Sequence, residues 1–385
     1  SNGFNSPMTW NDSSGNMRHA SISSPAAVNF ISPGTDTNYS PMIDLSGNGY
    51  VEFPRPAAGD FTLAFVFRTN SSHSGSSDWW DEALMFGCEL PGGVSDFGLT
   101  MEDGDLHFSH NSSDQVAVTT SGYDYGDDQV HVVIVRRDRD AGSDNVRLRV
   151  DGGTEFVGTM ISGDMDACTN LRVGRQTDDD GKWTGEVGDV VVWESDQISR
   201  ARIESSLAIT YGITLGSDYV DHDGNSIYAR SGYDQNIFGL ARSDEHSLRK
   251  NRSTSSAPGA ILTLRAGESA TGGSLLTNDN SYLLVGHDGG NESRGRAITL
   301  DSGFTVDASQ RTWRMQSTNF SQRFTITLDA SDIDLFLDAL VIADDASFTQ
   351  NVRAYELKDI GADQSVVLEL PANAVRYITF AESDP

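Results

Sequence analysis

The sequence predicts an all-β protein of antiparallel sandwich type, and three observations carry that prediction. Short runs rich in β-branched and aromatic residues recur along the chain, most of them alternating with period two. Acidic, glycine-bearing clusters such as "DGD", "DYGDD" and "DAGSD" separate them as turns. A single segment near residue 200 breaks the rhythm with helical spacing.

In order, the strand signals of the first half are "GYVEF" (49–53), "FTLAFVFRT" (61–69), "FGLTME" (97–102), "QVHVVIVRRD" (129–138), "NVRLRVDG" (145–152), "LRVGR" (171–175) and "EVGDVVVWE" (186–194). The helix follows in "SDQISRARIESSLAITYGI": Ser195 or Asp196 can cap it, Ile198, Ile203, Leu207 and Ile209 lie close to helical spacing, and Gly212 stops it. It is expected to close a first domain spanning residues 1–215. Strands resume less regularly in a second domain, 216–385, among them "NIFGLAR", "AILTLRAG", "SYLLVGHD", "RTWRMQ", "RFTITLD" and "VRYITFAE". The two halves share no internal repeat.

Composition bounds the function. The chain has 385 residues, 37% hydrophobic and 22% charged, which is globular and large enough for two or three cores. No run approaches the roughly eighteen apolar residues of a membrane span, and the opening residues have neither a basic start nor an apolar run, so neither insertion nor a signal peptide is expected. Formal charge is −29, from 56 acidic against 27 basic residues. Lysines are scarce: Lys182, Lys250 and Lys358. Such a surface repels phosphate backbones, so nucleic acid is excluded as a partner. Cys88 and Cys168 lie about 80 residues apart; a bridge there would contribute roughly 4 kcal/mol in the chain-entropy treatment, and two separate buried thiols are the alternative. The abundance of Ser, Asn, Thr and Gly favours an oxidising, extracellular or cell-surface setting.

Several motifs in order carry a resemblance. "TWNDSSGNMRHA" (9–20), "LSGNGYVEF" (45–53), "DFTLAFVFRT" (60–69), "VSDFGLTMEDGDLHFSH" (94–110), "VHVVIVRRDRDAGSDNVRLRVDG" (130–152) and "GEVGDVVVWESDQISRARIESSLAITYGITLG" (185–216) resemble a concanavalin A-like, laminin-G-type jellyroll in its bacterial form. One Trp-His pair of that pattern is replaced by Gln129 and Val130. "DYVDHDGNSIYARSGYDQNIFGLARSDEHSLRKNRS" (218–253) and "RTWRMQSTNF" (311–320) are similar to a β-rich domain of unknown function that follows this jellyroll in large surface or secreted, adhesin-type proteins of aquatic bacteria.

Enzyme signatures are weak. Jellyroll glycosidases need two carboxylates projecting into one cleft, whereas Glu186 and Asp189, three apart on a strand, point to opposite faces, and Glu194 and Asp196 sit at the strand-to-helix junction. His107 and His110, also three apart, read as surface histidines rather than a metal pair. The resemblance implies a structural calcium at Asp189, with Asp12 near it, and Asp178 in "DDD" is a further candidate. "DHDGNS" (221–226) has Ser226 where an EF-hand needs glycine, so it reads as an Asp-Gly turn.

For ligand capture the candidates are Trp79, Trp80 and Asp81 in "SSHSGSSDWWDEALMFG" (71–87), and Trp183 in "DDDGKWTGE". An exposed ring offers a sugar face broad apolar contact and neighbouring carboxylates take hydroxyls. Adjacent residues of an extended segment point oppositely, so at most one of Trp79 and Trp80 is expected to face solvent. The one concentrated basic stretch, Arg242, Arg249, Lys250 and Arg252, reads as a docking surface for a neighbouring domain or subunit, or as a site for an acidic glycan. The expected function is a non-catalytic adhesion or carbohydrate-binding module with calcium in a structural or ligand-bridging role, its partner a glycan or cell-surface ligand. The alternatives are a structural subunit of a surface filament and, third, a glycoside hydrolase.

Overall fold

The structure is a computed structural model that describes residues 4–5, 9–23, 27–46, 49–76, 78–111, 115–177, 180–269, 274–329, 337–360 and 363–382. Contacts divide the chain into two compact units, Ser1–Pro33 with Ser40–Arg200, and Gly34–Tyr39 with Ala201–Pro385. The helix placed by sequence at the close of the first domain groups with the second unit, because the contacts of its carbonyl end lie there.

In the first unit, nine antiparallel strands run in the order Phe4–Asn5, Thr9–Trp10, Ala20–Ile22, Val51–Pro54, Asn170–Val173, Ala83–Cys88, Phe97–Glu102, Asp105–His110, Gln115–Thr119. A seven-stranded sheet runs Glu155–Gly158, Val146–Val150, Val130–Arg137, Phe61–Arg68, Thr184–Trp193, Met42–Ser46, Val28–Ile31. Alternation decides which residues meet between them. Leu63, Phe65, Phe67, Val133, Val135 and Leu148 from the second sheet share one buried cluster with Leu99, Met101, Leu106 and Phe108 from the first. Cys88, the last residue of its strand, is disulfide-bonded to Cys168, just before the strand Asn170–Val173, so the open alternative resolves as a bridge.

The buried row of the strand Val130–Arg137 is apolar only in its middle. His131 and Arg137 occupy its ends, on the same side as Val133 and Val135. Arg137 is fully buried and donates to the carbonyl oxygens of Ala58, Gly59, Ile161 and Gly163, so a charged side chain ties together two loops there. His131 sits between Asp127 Oδ1 at 3.0 Å and Asp151 Oδ2 at 2.6 Å.

The second unit has its own core between a large sheet, in which Gln235–Ser243, Ser281–His287, Trp313–Thr318 and Ala374–Glu382 are successive neighbours, and a five-stranded sheet containing Leu262–Ala266, Phe324–Leu328 and Asp363–Leu368. Its helix is Arg200–Tyr211, ended by Gly212 at a φ of 71°, a left-handed stop that glycine adopts without strain. No helix among the described residues is long and apolar enough to cross a membrane.

Candidate functional site

The strands Phe97–Glu102 and Asp105–His110 form a hairpin through Asp103 and Gly104, both at positive φ, which fixes register by turn chemistry. That register sends Leu106 with its partner Met101, and Phe108 with Leu99, into the core. Thr100 opposite His107, and Gly98 opposite Ser109, therefore lie on the other face of the sheet.

On that outward face Glu82, itself buried, accepts a hydrogen bond from Thr100 Oγ1 and lies 2.8 Å from His107 Nδ1. Burial works to lower the His107 pKa, but the hydrogen bond and charge of Glu82, with Asp105 and Glu102 behind it, outweigh that and raise it. Glu102 anchors the serine-rich loop, accepting from the backbone of Gly75 at 2.8 Å and Ser76 at 2.9 Å and from the Ser76 hydroxyl at 3.1 Å.

The loop then turns at 78–81, with Asp81 N donating to Asp78 O, and lays Trp79 across the sheet. A Cβ on Gly98 would come 3.1 Å from Trp79 Cζ3, so the missing side chain makes room for the indole. Trp79 Nε1 donates to Asn111 O at 2.8 Å, and the residue is fully buried. Trp80 packs against it edge to face, with centroids 6.4 Å apart, and remains half-buried, while Asp81 is exposed. The two loops flagged in the sequence are neighbours: Leu84 N donates to Gly181 O, and Gln176 Nε2 reaches Trp79 O at 3.4 Å.

Two expected ligand rings are therefore corrected. Trp79 is a plug on the sheet, and Trp183, also fully buried, packs edge-on against Phe67 and stacks on His73 inside the core. Trp80 and Asp81 alone of the four reach the surface. The surface reading of the histidines fails as well for His110: it turns inward, 1% exposed, and burial beside Arg137 pulls it down to about 4. Sequence reasoning passed over the Glu82, Thr100 and His107 group. The Asp-Gly turn at 103–104 was its available signal, since it places Thr100 opposite His107.

The metal candidates are scattered. Asp12 organises a local turn, accepting from the backbone of Ser14 at 2.7 Å and Arg18 at 2.9 Å. Asp189 is half-buried at an irregularity, where Val187 pairs with Phe67 and Val190 with Phe65, so that Gly188 and Asp189 together oppose Val66. This bulge upsets the simple alternation expected for Glu186 and Asp189. Glu186 is engaged in a two-bond fork with Arg68, at 2.9 and 2.7 Å. Asp178 lies outside the described residues. Among the described residues, Asp221, His222 and Asp223 are the one group of three that could hold an ion. Asp221 Oδ1 there accepts from Asp223 N and Asn225 N, the Asp-Gly turn read from sequence.

Comparison with known families places this geometry. Residues 45–204 match the concanavalin A-like lectin/glucanases superfamily. Those residues are a concanavalin A-like domain. Residues 199–373 match a domain of unknown function, DUF8202, so the order of the two resemblances holds. A comparison with curated proteins finds no match. Among solved structures, domain 4 of an extracellular GH43 arabinanase from Geobacillus stearothermophilus, in complex with arabinotriose, is similar at 15% identity over 52% of this chain and 91% of that one, with a TM-score of 0.39. Domains LG4-5 of the mouse laminin alpha1 chain align at 12% identity over 86% and 79%, with a TM-score of 0.29. A SAP-like pentraxin from Limulus polyphemus gives 16% over 45% and 78%, at 0.28. In the concanavalin A-like domain, the loop bearing Trp80 and the Glu82 group sit on the face of the nine-stranded sheet turned away from the core.

Proposed function

We propose that the chain is a non-catalytic, extracellular carbohydrate-binding or adhesion module whose ligand face is centred on Trp80. The observation that carries this reading is the bracing of a half-buried Trp80 by a fully buried Trp79, with Asp81 exposed beside it. A ring held in place by packing loses little freedom when a sugar stacks on it, and Asp81 is placed in sequence to accept a hydroxyl. The concanavalin A-like match supports a carbohydrate-binding or adhesion-type role, and the Cys88–Cys168 bridge suits an oxidising compartment. Binding rather than hydrolysis is favoured because the two glutamates on the sheet behind the loop are committed. Glu82 holds Thr100 and His107, and Glu102 holds the loop.

Calcium enters this reading as a structural ion at Asp189, Asp12 being held in its own local turn. The test is a glycan-array screen of the wild type and Trp80→Ala, each in calcium and in chelator. The expected result is retention of a glycan class by the wild type, weakened about tenfold or more by Trp80→Ala with little change in melting temperature. Retention that survives the chelator would remove calcium from the ligand site. A wild type that retains no glycan in either buffer would overturn the proposal and favour a packing subunit of a surface assembly.

A further inference from the structure

In the second unit, Arg314 lies on the central strand Trp313–Thr318, between Gly286 of one neighbouring strand and Tyr377 of the other. Trp313 and Met315 face the core, so Arg314 faces away from it. A Cβ on Gly286 would come within 2.6 Å of Tyr228 Oη and 2.9 Å of Tyr233 O. Its absence lets the segment 226–234 lie flat on the sheet. That strap is pinned by Ala229 N on Gln316 Oε1 at 3.4 Å and by Tyr228 Oη on Tyr233 O at 2.9 Å. It brings the rings of Tyr228 and Tyr233 to 4.5 and 5.2 Å from the Arg314 guanidinium carbon.

Arg314 is 8% exposed; Ser231 O accepts from Nη1 at 3.5 Å, and the Tyr228 hydroxyl is a second, neutral acceptor beside the guanidinium. Nε and Nη2 are buried and donate to nothing. These two atoms form one edge of the planar guanidinium, the fork that a carboxylate fills with two parallel hydrogen bonds. The chain shows what that edge takes elsewhere: Arg68 gives it to Glu186 at 2.9 and 2.7 Å, and Arg242 gives it to Asp244 at 3.0 and 2.8 Å.

At Arg314 no carboxylate among the described residues fills the role. Asp234 pairs with Arg230, and Asp288 Oδ1 accepts from the backbone of Gly290 and Thr312. The Tyr228 hydroxyl beside the guanidinium is pushed up by burial, so it stays neutral and supplies no counter-charge. Stacking on two rings offsets part of the cost of burying the cation but leaves the two N–H groups unsatisfied.

We propose that the Arg314 slot binds the carboxylate of a uronic-acid sugar, with the fork of Nε and Nη2 on the carboxylate and the half-buried pair Tyr233 and Tyr377 against the sugar. Those two rings are 5.4 Å apart, and Tyr377 is paired directly beside Arg314 in the sheet. The site is separate from the Trp80 face and does not depend on it.

The arginine Nε–Hε signals of the nitrogen-labelled full chain test this directly, during titration with sodium glucuronate, glucose, sodium acetate and sodium chloride at matched ionic strength. One signal, absent from Arg314→Lys, is expected to move saturably with glucuronate, less with acetate, and not with glucose or chloride. Arg314→Lys should weaken glucuronate at least about tenfold, because lysine keeps the charge and loses the fork. Trp80→Ala should leave the titration unchanged. Equal movement with acetate and glucuronate would overturn the sugar contact. Movement with chloride alone, or none at all, would overturn the site and leave Arg314 satisfied by its tyrosines. Should Arg314→Lys fail to fold, the wild-type melting temperature decides: a rise with glucuronate beyond that with glucose or sodium chloride is required.

Discussion

His131 shows how one buried residue can hold a pH-dependent share of stability. Its ring lies between Asp127 and Asp151, faced by Phe67 and Tyr125. Burial alone would lower its pKa, but the charges and hydrogen bonds of the two aspartates raise it to about 10. A base whose folded pKa exceeds its unfolded value near 6.5 contributes stability that is complete below that value and is lost as pH rises through about 10. Lys250 in the second unit acts in the opposite sense. Burial lowers it to about 7, so its contribution is present at high pH and is lost as pH falls from its unfolded range toward 7. His131→Gln isolates the first effect. It should cost roughly 3 kcal/mol at neutral pH, as expected when one partner of a buried ion pair is removed. The gap from wild type should shrink as pH approaches about 10, measured by denaturant unfolding. A gap constant over that range would show that the imidazole is neutral in the fold.

At the scale of elements, period-two runs were legible because one face of each strand is buried. The segments at 61–69, 97–102, 129–138 and 186–194 all correspond to strands. The strands Val28–Ile31, Met42–Ser46 and Glu155–Gly158 were not read, although Val51–Pro54 and Asn170–Val173, equally short, were. Helix and stop were read, but the groups that satisfy its carbonyl end were not. Asn38, at a φ of 50°, donates to the carbonyls of Ile209 and Thr210 at 3.0 and 3.2 Å and accepts from Thr254 N at 2.8 Å, while Lys250 donates to Thr210 O at 2.7 Å. These partners lie far apart in sequence, and no local pattern announces them. Within the basic stretch, Lys250 is a buried cap, Arg242 and Arg249 share Asp244, and Arg252 stacks on Tyr39 at 3.5 Å. Trp79 and Trp80 were ambiguous for a related reason, because a turn has no period to assign faces. Asn38→Ala should lower stability by about 2 kcal/mol, since it removes the bonds to Ile209 O and Thr254 N at once while Lys250 still serves Thr210 O. A loss below about 0.5 kcal/mol in denaturant unfolding would mean that Lys250 alone holds the helix end.

For the molecule as a whole, the excess of 56 acidic over 27 basic residues sets the response to salt. Two terms compete. Surface ion pairs such as Arg323 with Glu268 and Glu369 weaken when screened, but exposed pairs of this kind contribute little to begin with. Repulsion among unpaired carboxylates acts over the screening length, roughly 30 Å at 0.01 M salt and 8 Å at 0.15 M, so it sums over many residues when salt is low. The half-buried fork of Arg68 with Glu186 and the buried His131 with its aspartates are less affected by either. Repulsion should therefore win, and the melting temperature should rise by several degrees between about 0.01 and 0.15 M sodium chloride, then level off. A fall over that range would mean that exposed pairs dominate despite the net charge. Running calcium chloride at equal ionic strength separates screening from occupancy. Stabilisation beyond the sodium series requires a site such as Asp189, whereas coincident curves would leave calcium no role in the fold.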